Sequence, residues 1–213
     1  KLASDGKMVR VSLAGREMVP EQVETGTGFY EVKIDGPAVA STMGEISIRQ
    51  EGPGIAWGGM FWQYFEDIGK IASQETNLKL KKGVFIKRDS PHGPILEPCR
   101  GKAAVGDLLV IRLELRVDRD MEYVHLKDQR GSGLEPVAVL SGYRYQDGLG
   151  YYQATKDTSS HFYISFLSKG TYVFEYQVRV QHKGRYQTGM AEIQCMYAPE
   201  FKSHSESFLL EVE

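Results

Sequence analysis

Five histidines (His92, His125, His161, His182 and His204) and two cysteines (Cys99 and Cys195) are the side chains best suited to ligate a metal or to move a proton. Their spacing starts neither chemistry. There is no H-x-x-x-H or C-x-x-C pair, so no zinc site and no other metal is expected. The serines lie in contexts such as STM, SIRQ and SHSES rather than in the strand-to-helix elbow G-x-S-x-G, so a serine nucleophile lacks its setting. Asp118 and Asp120 flank Arg119 at the end of an alternating run and read as a charged turn, and no D-x-D-x-D-G calcium loop is present. The expectation is a chain that is not an enzyme and needs no cofactor. A hydrolase would require a pocket that brings one of the histidines within hydrogen-bond reach of a serine or cysteine. The two cysteines permit one disulfide, which geometry decides; Cys195, alternating with Ile193 and Tyr197, reads as a small buried apolar residue.

The remaining chemistry is that of aromatic surfaces. The stretch GYRYQDGLGYY (142–152) sets Tyr143, Tyr145, Tyr151 and Tyr152 among glycines. Glycine serves where the backbone must turn or approach something closely, and tyrosine offers a broad apolar ring with one polar tip. The stretch is therefore either a hairpin whose rings fold back onto the core or a loop that presses tyrosines against a partner. As a hairpin it places Tyr143 and Tyr145 on one face and splits Tyr151 from Tyr152 across the two. A second aromatic run, WGGMFWQYF, carries Trp57, Phe61, Trp62, Tyr64 and Phe65, and is expected in a core or at a domain interface rather than on an open platform.

The elements that position these rings alternate with a period of two nearly everywhere. In DLLVIRLELRVDRD, Ile111, Leu113, Leu115 and Val117 share one face, and Arg112, Glu114, Arg116 and Asp118 the other. TYVFEYQVRVQHKG repeats the pattern with Tyr172, Phe174, Tyr176, Val178 and Val180. Strands are also predicted at FYEVKI, GEISIRQ, IAWGGMFWQYF, EYVHLKDQ, VAVLSGYRY, HFYISFLS, AEIQCMY and SFLLEVE, parted by turns such as GPG, SGLEP, QDGLG and APEF. No amphipathic helix longer than two turns is predicted. The fold class is all-β, a sandwich, with a boundary or linker in the polar segment 66–80. The basic run KLKKGVFIKR (79–88) reads as a solvated strand edge.

With 213 residues, 41% hydrophobic and 25% charged, the chain suits one large or two modest folded domains. A formal net charge of −2 argues against nucleic acid as a partner, which requires clustered basic side chains. No apolar run reaches the roughly 18 to 20 residues that span a bilayer. The N-terminal KLASDGKMVR lacks the apolar core of a signal peptide, so the chain reads as a mature piece.

WGGMFWQYFED (57–67), GDLLVIRLELRVDRDMEYVHLKD (106–128), SGLEPVAVLSGYRYQDGLGYYQATKD (132–157) and KGTYVFEYQVRVQHKGRYQTGMAEIQCMYAPEFKSHSE (169–206) together resemble the C-terminal end of bacterial alpha-2-macroglobulin family proteins. The most specific part is GTYVFEYQVRV followed by MYAPEF. The resemblance implies two β-sandwich-like units, residues 1–72 being the returning segment of a CUB domain and 73–213 a terminal macroglobulin-like antiparallel sandwich. It further implies a non-catalytic part of a periplasmic or surface-anchored protease trap, whose partners are the thioester-type and other macroglobulin domains of the same parent chain. Proteases are then the targets of the full-length protein. This chain holds no C-x-E-Q thioester motif. On the resemblance, Tyr143, Tyr145, Tyr151 and Tyr152 are candidates for an aromatic cover over a thioester, since a ring excludes water from a reactive acyl group. The competing reading is a carbohydrate-binding module, in which exposed coplanar rings beside Asp or Asn would stack on sugars.

Overall fold

The computed structural model describes residues 9–50, 55–146 and 148–213. These form two compact units, Lys1–Phe65 and Glu66–Glu213. Residues just past Phe65 are tied into the second unit. Asp67 caps a short 3-10 turn, Ile68–Lys70, by accepting from the Gly69 amide, and Gln74 exchanges backbone hydrogen bonds with His204.

In the first unit, β1 (Val9–Leu13) pairs with β2 (Arg16–Glu17) and with β3 (Ile46–Gln50) in one three-stranded antiparallel sheet. Among its described residues only Leu13 is buried. The predicted strands at 29–34 and 55–65 are not strands: alternation makes a segment able to pair, but neither finds a ladder partner among the described residues, and an unpaired backbone remains irregular. The aromatic run expected in a core or interface is accordingly bare. Trp57, Phe61, Tyr64 and Phe65 are almost fully exposed and Trp62 half so.

The second unit holds β4 (Leu78–Arg88), β5 (Ile95–Pro98), β6 (Lys102–Ala103), β7 (Leu108–Val117), β8 (Met121–Gln129), β9 (Leu134–Pro136), β10 (Gly142–Gln146), β11 (Leu149–Thr155), β12 (Ser159–Leu167), β13 (Gly170–Val180), β14 (Gly184–Gln187), β15 (Ala191–Cys195), β16 (Ala198–His204) and β17 (Leu209–Val212). They build a six-stranded sheet ordered β10-β11-β12-β8-β15-β16, a five-stranded sheet ordered β5-β4-β7-β13-β9, and a small sheet ordered β14-β17-β6. The two large sheets are antiparallel throughout. Their inward side chains make one core that contains Leu80, Leu113, Leu115, Phe162, Phe174 and Ile193. The alternation read in β7 and β13 is realised, since Ile111, Leu113, Leu115, Phe174, Tyr176 and Val178 are all buried in it.

The basic run is a correction. β4 lies between β5 and β7 rather than at a sheet edge, and Lys82 points inward. Its ammonium is 2.5 Å from Asp128 Oδ1 and also donates to the carbonyls of Gln129 (2.9 Å), Gly189 (3.0 Å) and Thr188 (3.2 Å). Asp128 Oδ2 accepts from the Tyr176 hydroxyl at 2.6 Å. A buried charge is tolerated only when paired and hydrogen-bonded, and this centre satisfies both conditions while joining β4 of one sheet to β8 of the other. Burial pushes the Asp128 carboxyl up, against the pull of Lys82; burial and then Asp128 raise the Tyr176 phenol well above its ordinary value. Gly189, which supplies one of the carbonyls, sits at φ +76°, where a Cβ would lie 2.6 Å from the Gln129 oxygen. Both cysteines are free thiols; Cys195 is buried as expected.

Candidate functional site

The tyrosine hairpin forms the edge of the six-stranded sheet. β10 and β11 pair with Tyr143 opposite Tyr152 and Tyr145 opposite Gly150. Asp147 lies outside the described residues. The alternation of β11 splits the last two tyrosines. Tyr151 turns into the core, 7% exposed, with its ring 5.2 Å from Phe174 and 5.9 Å from Phe162. It therefore cannot serve as a cover residue, and this part of the sequence expectation is withdrawn. Tyr152 faces outward, as do Tyr143 and Tyr145, which are 85% and 79% exposed.

The strand register extends this outward face across the sheet. Tyr143 is opposite Tyr152, Tyr152 opposite Tyr163, Tyr163 opposite His125 and His125 opposite Gln194, one transverse row over β10, β11, β12, β8 and β15. Within it Tyr143 and Tyr152 meet edge to face at 5.1 Å, and Tyr163 lies nearly parallel to His125 at 4.7 Å. Cross-strand aromatic pairs of this kind fix ring orientation and add roughly 0.2–1 kcal/mol each. Further along the same strand, Tyr123 sits in the left-handed region at φ +53° and meets exposed Tyr197 edge to face at 5.2 Å.

Beside the row two histidines come together. His125 Nε2 and His161 Nδ1 are 2.9 Å apart with their ring planes within 9° of parallel, and His161 Nε2 lies 2.9 Å from Ser159 Oγ. Burial depresses the basicity of both imidazoles. For His125, Glu192 opposes this while Lys127 and Lys156 add to it, and for His161 the neighbouring His125 adds to it. The serine–imidazole contact that a hydrolase needs is thus present, but Ser159 is 4% exposed and lines neither of two hollows in this unit. One of these is bounded by Leu149, Tyr151 and Phe174 of the core and the other by Thr76, Asn77, Lys79, Arg116 and Asp118. No group of three metal-ligating side chains converges among the described residues.

The sequence reading missed Tyr163, His125 and His161 as parts of this face. Alternation in HFYIS and EYVHL places them on the outward side, but only register shows that residues 36 positions apart touch. Their rings also bear on the carbohydrate reading. Sugar stacking needs ring faces laid open to solvent, whereas His161, His125 and Tyr163 lie against one another within 5–9° of parallel.

These features define a class: an antiparallel β-sandwich whose conspicuous surface is an aromatic sheet face. Residues 78–200, more than half of the chain, match the family described as the bacterial alpha-2-macroglobulin MG10 domain. The chain belongs to that family. Solved structures share the fold at low identity. The region of Escherichia coli alpha-2-macroglobulin from domain MG7 to the C-terminus is 14% identical over 66% of this chain and 24% of its own length, with a TM-score of 0.53. Salmonella alpha-2-macroglobulin reacted with methylamine is 18% identical over 67% and 10%, at 0.52. A tyrosine-to-glycine mutant of the Salmonella protein aligns with 100% of this chain and 13% of its own, at 16% identity and 0.54. The chain thus spans about a quarter or less of the solved chains it matches. No curated protein sequence matches it.

Proposed function

We propose that this chain is a non-catalytic C-terminal part of a bacterial alpha-2-macroglobulin-type protease trap, and that the outward aromatic face of its second unit docks on and shields a thioester-type domain of the same parent chain. The observation that carries this reading is the pair Tyr143 and Tyr145, which stand almost fully exposed at a hairpin edge continuous with Tyr152 and Tyr163. Isolated exposed rings are ordinary, but a contiguous row of them marks an interaction surface. Rings of this amphipathic kind exclude water from a reactive acyl group while their hydroxyls stay hydrogen-bonded.

On the same reading residues 1–72 are the returning CUB segment and 73–213 the terminal macroglobulin-like domain, a family division distinct from the compact units Lys1–Phe65 and Glu66–Glu213. On this reading Trp57, Phe61, Trp62, Tyr64 and Phe65 are covered by parts of the parent that lie outside this chain. The proteases are targets of the whole trap, in keeping with alpha-2-macroglobulin from Escherichia coli solved after activation by porcine elastase or by trypsin. A trap of that kind works in the periplasm or at the cell surface, and no described helix here is long and apolar enough to cross a membrane.

The test is the reactivity of the full-length parent toward methylamine. Tyr143→Ala with Tyr145→Ala should raise the rate of thioester loss by about tenfold or more, the equivalent of one or two aromatic contacts. An unchanged rate in a parent with an intact thioester sinks the docking role.

A further inference from the structure

Two imidazole nitrogens 2.9 Å apart share one proton. The His125–His161 pair can be neutral, or carry one added proton, and in either case the facing nitrogens form one donor and one acceptor. A second added proton makes both facing nitrogens N–H groups. The hydrogen bond is then lost and two imidazoliums with centroids 5.1 Å apart repel across a half-buried contact.

The groups facing the pair do not relieve that repulsion. On β8 the next outward residue is Lys127, opposite His161; just past β11 is Lys156; on β12 the flanking groups are Ser159 and Tyr163; on β15 the only facing carboxylate is Glu192, beside the neutral Gln194. Both cations and the burial of the rings disfavour the doubly charged pair, and Glu192 opposes them at His125. The pair is also structural. His125 is the ring on which Tyr163 stacks, and Tyr163 is opposite Tyr152, which holds Tyr143.

The geometry points to an acid-operated latch beneath the aromatic face: with at most one added proton the histidine pair holds Tyr163 in the row, and the second proton parts the rings and releases it. The latch itself stands on the ring contacts alone. Its consequence, that acidification loosens the cover over the partner domain, rests on the docking reading above.

The experiment uses this chain for the latch and the full-length parent for the consequence. Histidine side-chain nitrogen NMR and tyrosine near-ultraviolet circular dichroism are followed together from roughly pH 8 to 4.5, the window in which imidazoles titrate. The expected result is one proton taken up by the pair without change in the tyrosine signal, then a second taken up together with its loss. His125→Phe, which keeps a ring under Tyr163 and cannot titrate, should hold the tyrosine signal flat over the same range; His125→Gln, which keeps a hydrogen-bonding group, serves where the Phe variant does not fold and should likewise abolish the coupled step. Two imidazoles that titrate independently near 6.5 with the tyrosine signal unmoved overturn the latch, as does a variant that loses the signal at the wild-type pH. In the parent, the ratio of wild-type to His125→Phe methylamine reactivity should rise severalfold on acidification, a comparison that cancels the protonation of the amine. A flat ratio alongside the coupled titration leaves the latch standing and overturns the docking reading.

Discussion

Tyr151 and Tyr143 come from one hairpin and differ by the face on which the backbone sets them, so replacing each by alanine separates core from surface. Tyr151 is 7% exposed, and its ring packs on Phe162 and Phe174 between the two large sheets. Emptying a site of that kind costs about 3–5 kcal/mol. With a urea dependence of about 2 kcal/mol per molar, the midpoint of unfolding should fall by roughly 1.5–2.5 M. Tyr143 is 85% exposed and loses mainly its cross-strand, edge-to-face contact with Tyr152, worth at most about 1 kcal/mol, or roughly 0.5 M. The assay is urea unfolding followed by far-ultraviolet circular dichroism on wild type and both variants. Equal shifts for the two, or a Tyr143→Ala shift above about 1.5 M, would refute the division of the hairpin into a core face and a free face.

Lys82→Met should destabilise the second unit by about 3–5 kcal/mol, because it leaves Asp128 buried without its cation, whereas Lys82→Met with Asp128→Leu should recover most of that loss; a double-mutant cycle on unfolding free energies checks both. Gly189→Ala should cost at least about 1 kcal/mol in the same assay, since the position is left-handed and a methyl group would meet the Gln129 carbonyl. The raised phenol of Tyr176 contributes stability that is complete below the ordinary tyrosine value of about 10 and is lost as pH rises from there toward its folded value. Alkaline titration followed by tyrosinate absorbance should therefore show Tyr176 ionising only as the second unit unfolds.

How much could be read without coordinates differs from element to element. The faces of β7 and β13 were legible because one side of each strand is continuously apolar, and the split between Tyr151 and Tyr152 follows from the pleat alone. FYEVKI and IAWGGMFWQYF carry the same local signal yet form no ladder, because a strand exists only with a partner, and partnership is not a local property. Lys82 was hidden by its setting, KLKK, where three of four residues are lysines and composition suggests solvent; its inward position follows only from the Leu78, Leu80, Val84, Ile86 periodicity on either side. The histidine pair and Tyr163 were out of reach for a different reason. Their contact depends on the register between β8 and β12, which turn geometry and packing decide together.

The ion centre around Lys82 also bears on the order in which the molecule assembles. Its acceptors lie 46, 47, 106 and 107 residues further along the chain. As the polypeptide emerges, β4 can pair locally with β5 and β7 while still holding an ammonium on the side destined for the interior. Until Thr188 and Gly189 arrive, two of its four acceptors are missing, so a nascent chain stopped before them carries an incompletely satisfied inward charge that disfavours closing the sandwich. Assembly is thereby deferred to a late, concerted step set by contacts distant in sequence, the slow kind. Pulse-labelled hydrogen exchange should accordingly find the amides around Lys82 in β4 and those of the 188–189 segment gaining protection together rather than in chain order.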